Sequence, residues 1–189
     1  MKKIAIAALL STFVAGNAAA ADSSYAGISL GRSSASATSN AVLTKSTDTV
    51  AGILVGYQFN RNWGIEAQYT GLGKFAGTHT APAATFSGKT DALSLTALGI
   101  LPVSDRFSIY GKLGIARAKT SASSVPAQLT GATRSAGTYG LGAQFNVNGS
   151  VGIRIGWDRY GVATTSGTTL GVKENSNVNV YSLGAVFLF

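Results

Sequence analysis

Val151-Gly152-Ile153-Arg154-Ile155-Gly156-Trp157-Asp158 sets a bulky apolar residue against a small or charged one at every step. Successive side chains of a β-strand point to opposite faces, so Val151, Ile153, Ile155 and Trp157 share one face while Gly152, Arg154, Gly156 and Asp158 share the other. One face is continuously apolar. The other pairs glycine with formal charge, which is the composition neither of a dry core nor of a wet surface.

The same alternation extends in both directions along the chain. Upstream, Thr138–Phe145 sets Tyr139, Leu141, Ala143 and Phe145 against Gly140, Gly142 and Gln144, and Phe107–Ala116 sets Phe107, Ile109, Leu113 and Ile115 against Tyr110, Lys112 and Gly114. Ala92–Leu101, Trp63–Thr70, Thr49–Phe59 and Tyr25–Arg32 follow the same rule, and Val180–Phe189 closes the series with Tyr181, Leu183, Ala185, Phe187 and Phe189 on one face. Eight strands are predicted, an even number. Asn60-Arg61-Asn62, Pro102–Arg106 and Asn146–Gly149 make short connections, whereas Ser33–Asp48, Lys74–Lys89, Lys119–Arg134 and Gly161–Asn177 are long and rich in Ser, Thr, Ala and Gly. Tight turns on one rim and long loops on the other form the layout of a transmembrane barrel.

Aromatic placement points the same way. Phe59, Trp63, Phe107, Phe145 and Phe189 sit beside a short turn or the terminus, and Tyr69, Tyr139, Trp157 and Tyr181 lie toward the long loops, as rings do at the two headgroup levels of a bilayer. Closure pairs every backbone donor and acceptor in lipid without leaving an edge. The fold expected is all-β: an eight-stranded antiparallel transmembrane β-barrel with short periplasmic turns and long extracellular loops. The competing reading is a secreted soluble β-sandwich, whose second face should carry Lys, Glu, Thr and Asn rather than Gly, Ser and Gln.

Composition bounds the remaining classes. Mean hydropathy is +0.24, yet the apolar stretches beyond the N-terminal segment are far shorter than the roughly 18 to 20 residues of a membrane helix. Residues 1–21 read as a signal peptide, with Lys2 and Lys3 ahead of an apolar run and Ala19-Ala20-Ala21 as the cleavage site, leaving 22–189 as one barrel domain. Without Lys2 and Lys3, 13 basic residues face 7 acidic ones, a charge of +6. There is no cysteine, so disulfides, thiolate metal sites and a lipidated anchor are excluded. The single histidine, His79, sits in a long loop with no acid nearby, so no catalytic triad, cofactor, metal or nucleic-acid site is expected.

Face parity turns Glu66, Lys112, Arg154 and Asp158 inward, where opposite charges must pair to offset their desolvation. Lys45, Lys74, Lys89, Lys119 and Arg134, with Arg159 and Lys173, fall in or near the long loops, at the level where lipopolysaccharide presents phosphates.

Gly56-Tyr57-Gln58-Phe59-Asn60, Trp63-Gly64-Ile65-Glu66, Leu95-Thr96-Ala97 followed by Pro102, Ile109-Tyr110-Gly111-Lys112-Leu113-Gly114 and the aromatic terminus resemble the OmpA-like transmembrane domain over nearly the whole mature chain. The resemblance implies an integral outer-membrane protein without the periplasmic peptidoglycan-binding domain, since the chain ends at Phe189. It implies that Tyr181, Leu183, Phe187 and Phe189 form the signal read by the barrel assembly machinery. It also assigns Glu66 and Arg154 to an interior ion-pair cluster, in which Leu98 and Gln144 replace a lysine and an acid. A fixed Glu66–Arg154 plug, helped by Lys112, is the expectation. The function expected is structural stabilisation of the outer membrane with loops displayed outside. The alternatives are an OmpX-type adhesin with a host ligand, and a narrow channel, since eight strands enclose a bore that side chains fill.

Overall fold

The computed structural model describes residues 23–36, 41–45, 47–80, 83–125, 132–165 and 173–189. Nine strands appear among them: β1 (Ser23–Ser36), β2 (Ala41–Lys45), β3 (Thr47–Gln58), β4 (Trp63–Thr80), β5 (Ala83–Pro102), β6 (Phe107–Val125), β7 (Ala132–Asn146), β8 (Val151–Thr165) and β9 (Lys173–Leu188). All pairings are antiparallel, and the order β3-β1-β9-β8-β7-β6-β5-β4 returns to β3. Eight strands thus close a barrel. The short β2 lies outside that circuit and pairs with the outer end of β4.

The exposure of side chains inverts that of a soluble protein. Ile28, Leu30, Ile53, Leu93, Leu95, Leu113, Ile115, Leu141, Ile155 and Leu183 are exposed around the circumference, while Glu66, Gln68, Thr70, Ser94, Thr96, Lys112, Arg154 and Asp158 are buried inside. An apolar belt of that extent far exceeds the few hundred Å² a soluble monomer exposes, and it requires lipid. Among the described residues no helix is long and apolar enough to cross a membrane. Phe59, Trp63, Phe107, Phe145 and Phe189 are exposed at the short-turn rim, and Tyr69, Tyr139 and Tyr181 at the opposite level. Trp157 there is half-buried, its ring edge-on to Tyr139 at 5.8 Å.

The strands outrun the expectation. A membrane strand needs about 9 to 11 residues, but β4, β5 and β6 have 18, 20 and 19 residues. Much of Lys74–Lys89 and part of Lys119–Arg134, expected as loops, are therefore ladder that rises beyond the apolar belt. The short turns close as expected, through Asn60 Oδ1 accepting from Asn62 and Trp63 amides and Asn148 Oδ1 accepting from Ser150 and Val151 amides.

One irregularity matters for the interior. Gly71 pairs with Asp91 and Gly73 with Thr90, so Leu72 is an extra residue, a β-bulge in β4. Gly73 has φ +94°, and a Cβ there would meet Asp48, whose Oδ2 accepts from the Lys74 amide at 2.7 Å. Leu72 itself is fully buried in the lumen.

Candidate functional site: the lumen

The lumen side chains come from strands whose inward positions are set by parity, and they stack in layers along the barrel axis. At mid-height Glu66 of β4 accepts from Lys112 Nζ through Oε1 at 3.3 Å, and from Arg154 and the Tyr25 hydroxyl through Oε2, the latter at 3.0 Å. Lys112 Nζ also reaches Asp158 Oδ1 at 2.9 Å and donates to Gln68 Oε1 at 3.1 Å. All four charges are buried, so each partner offsets a large desolvation cost, and loss of any one would strand another.

Arg154 is held on every side. Its guanidinium lies between two rings, 5.1 Å from the Tyr25 centroid and 4.8 Å from that of Tyr110, a cation–π sandwich in a site that water does not screen. Its Nε and Nη2 both donate to Gln144 Oε1, at 3.1 and 2.7 Å. Glycine makes this packing possible, because a Cβ on Gly56 would occupy the Tyr25 ring and one on Gly142 would collide with the Tyr110 hydroxyl.

Toward the long-loop rim the chemistry changes abruptly. Val50, Leu72, Ala92, Ala116, Ala118, Tyr160, Val178 and Val180 form one buried apolar cluster drawn from six strands. Toward the short-turn rim a cavity of about 500 Å³ opens, reaching up to Arg154. A void of about 10 Å³ lies beside Lys112 and Asp158, room for one water at most.

The structure thus brings Glu66, Lys112, Arg154 and Asp158 into one bonded cluster. Sequence reasoning missed Tyr25, Gln68, Tyr110 and Gln144 as its partners. Gln144 stands where the resemblance puts an acid, and its carbonyl serves the Arg154 fork. Inward parity was the available signal that put all four in the bore, but the bonds they make there depend on rotamers that parity does not carry. Tyr181, Leu183 and Phe187 face outward on β9, which closes the barrel against β1, and Phe189 is exposed just past its end. Lys74, Lys89 and Lys119 are exposed, with Lys89 3.5 Å from Asp91. Arg32 and Arg117, not singled out from the sequence, are exposed as well. The side chains of Lys45, His79, Arg134 and Lys173 lie outside the described residues, as do residues 1–22. Among the described residues no three His, Cys, Asp or Glu side chains gather as a metal site.

The inverted exposure, the closed ladder and the two aromatic levels agree with a match of residues 5–189 to the family model described as outer membrane protein beta-barrel domain. The chain belongs to this family. It is an integral outer-membrane β-barrel, similar in fold to the attachment invasion locus protein Ail of Yersinia pestis, with 20% identity, TM-score 0.52, and 89% of this chain and 99% of that one covered. It is likewise similar to OprG of Pseudomonas aeruginosa, with 17% identity, TM-score 0.60 and coverage of 90% and 96%. The N-terminal β-barrel domain of Pseudomonas aeruginosa OprF matches with 11% identity, TM-score 0.52 and coverage of 88% and 97%. A search of curated protein sequences found no match.

Proposed function

We propose that this barrel is a structural outer-membrane protein that blocks its own lumen and displays raised strands and loops outside the cell. The observation that carries the reading is the double filling of the bore: a bonded set of Glu66, Lys112, Arg154 and Asp158, with a buried apolar cluster around Leu72 and Tyr160 above it. Glu66 with Arg154 is the plug in this reading, and Lys112 with Asp158 braces it. Tyr181, Leu183, Phe187 and Phe189 serve as the assembly signal, since an edge strand with one apolar face is suited to recognition by strand addition. Residues 1–21 are the export signal. A deletion strain scored for detergent and antibiotic sensitivity tests the structural role, which an unchanged permeability barrier would refute.

A second reading is an adhesin that takes an anionic polysaccharide. Lys74, Lys89, Arg117 and Lys119 are exposed toward the outer rim, which favours negatively charged partners. The similar Ail protein of Yersinia pestis has been solved in complex with the heparin analogue sucrose octasulfate. The same cations, with Lys45 and Arg134, suit lipopolysaccharide phosphates. Retention of intact cells on a heparin surface, lost on deletion and lost at high salt, would favour the adhesin over the purely structural role.

A further inference from the structure

The cavity on the short-turn side has a chemistry that a merely closed lumen does not need. Arg154 forms its floor, Leu98, Ile100 and Leu188 line it with the rings of Tyr25 and Tyr110, and its mouth carries Arg61 and Arg106 beside Asp105. Its volume, about 500 Å³, is that of a small-molecule site, and its lining is mixed, since Gln58, Ser108, Gln144 and Asn146 share the walls with the apolar side chains.

The guanidinium at the floor is unevenly served. Nη1 goes to the Glu66 carboxylate, whereas Nε and Nη2, the fork that matches the two oxygens of a carboxylate, converge on a single neutral atom, Gln144 Oε1. A carboxylate on that edge would supply each donor with its own oxygen and add charge to both bonds. The Gln144 amide is tied back to Asn146 through Nε2 at 2.8 Å, at the rim of the same cavity. The buried charges Glu66, Asp158, Lys112 and Arg154 cancel, so an incoming anion is met by the surplus of Arg61 and Arg106 over Asp105.

We propose that this cavity binds a small monocarboxylate with a short alkyl body, entering from the periplasmic side. Its carboxylate takes the Nε–Nη2 edge of Arg154 and displaces Gln144 Oε1, and its alkyl chain packs on Leu98, Ile100 and Leu188. The pocket is blind, because the bonded cluster and the apolar layer lie beyond its floor.

The experiment is an NMR titration of the protein in lipid nanodiscs, with arginine and leucine isotopically labelled. Hexanoate is compared with hexanol, which has the body without the charge, and with inorganic phosphate, which has the charge without the body. Hexanoate should give saturable shifts at Arg154 Nε and at the methyls of Leu98 and Leu188, with both controls weaker by about tenfold or more, the size of one well-placed charged contact. Gln144→Glu puts a resident carboxylate on the same edge and should weaken hexanoate binding by about tenfold. Gln144→Ala removes the competitor and should leave binding at least as tight. No saturable shift at Arg154, equal binding of hexanol or phosphate, undiminished binding by Gln144→Glu, or a tenfold loss in Gln144→Ala would each overturn the assignment.

Discussion

Glu66 has both carboxylate oxygens engaged, by Lys112, Arg154 and the Tyr25 hydroxyl, in a site from which bulk water is absent. Glu66→Ala should therefore cost about 3 to 5 kcal/mol, because it strands a buried guanidinium and a buried ammonium. Glu66→Ala with Arg154→Ala should cost less than the two single changes summed, by about 0.5 to 3 kcal/mol. Urea titration in lipid vesicles, followed by the heat-dependent shift of the folded barrel on gels, measures both quantities. A strictly additive cycle would mean that the pair is not coupled. Glycines inside and outside the wall make a second test. A side chain on Gly56 would have to displace the Tyr25 ring, so Gly56→Val should destabilise by about 1 to 3 kcal/mol through overpacking. Gly99→Ala should be close to neutral, since its Cβ would meet the Trp63 ring at an ordinary 3.6 Å. Equal effects in the same titration would show that the Tyr25 ring can move aside.

Within the strands, legibility in the sequence depended on whether the two faces meet different solvents. Val151–Asp158 and Trp63–Thr70 could be recognised because lipid and lumen demand different residues at odd and even positions. The outer parts of β4, β5 and β6 lie beyond the apolar belt, where that contrast fades, and their Ser, Thr, Ala and Gly looked like loop. The bulge at Leu72 was hidden for a related reason: an apolar residue between two glycines carries no mark of being unpaired. Parity collected Glu66, Lys112, Arg154 and Asp158 on one face, but it holds no information on rotamers. The roles of Tyr25 and Gln144 therefore emerged from distances alone. Strand β9 carries the prediction for assembly. Phe189 ends the chain with its amide and carbonyl paired to Ser24 at 3.0 and 3.1 Å, at the seam where β9 meets β1. Phe189→Ser should lower the yield of heat-shiftable protein in the outer membrane more than Phe145→Ser does, although both rings are exposed at the same rim. Equal yields would reduce Phe189 to an ordinary girdle residue.

Across the molecule, two layers of unlike chemistry fill one bore. Charges alone would attract water, whereas an apolar constriction repels both water and ions. The wild-type barrel should therefore be silent in planar bilayers, and Glu66→Ala should remain nearly silent because the layer of Leu72, Tyr160, Val178 and Val180 persists above it. Leu72→Ala combined with Glu66→Ala should produce measurable openings. If Glu66→Ala alone conducts as well as the pair, the ion cluster is the seal and the apolar layer only packing.

Leu72 also has a meaning in the language of heredity. Because it is the one extra residue between the Gly71–Asp91 and Gly73–Thr90 pairs, losing it would leave both halves of β4 in register with their neighbour and every flanking side chain on its present face. An in-frame loss of a single codon would thus erase the centre of the apolar layer without scrambling the ladder, whereas the same loss elsewhere in a strand would turn lipid-facing residues into the bore. A lineage carrying this barrel stands one small genetic step from a descendant whose bore is sealed by the charged cluster alone.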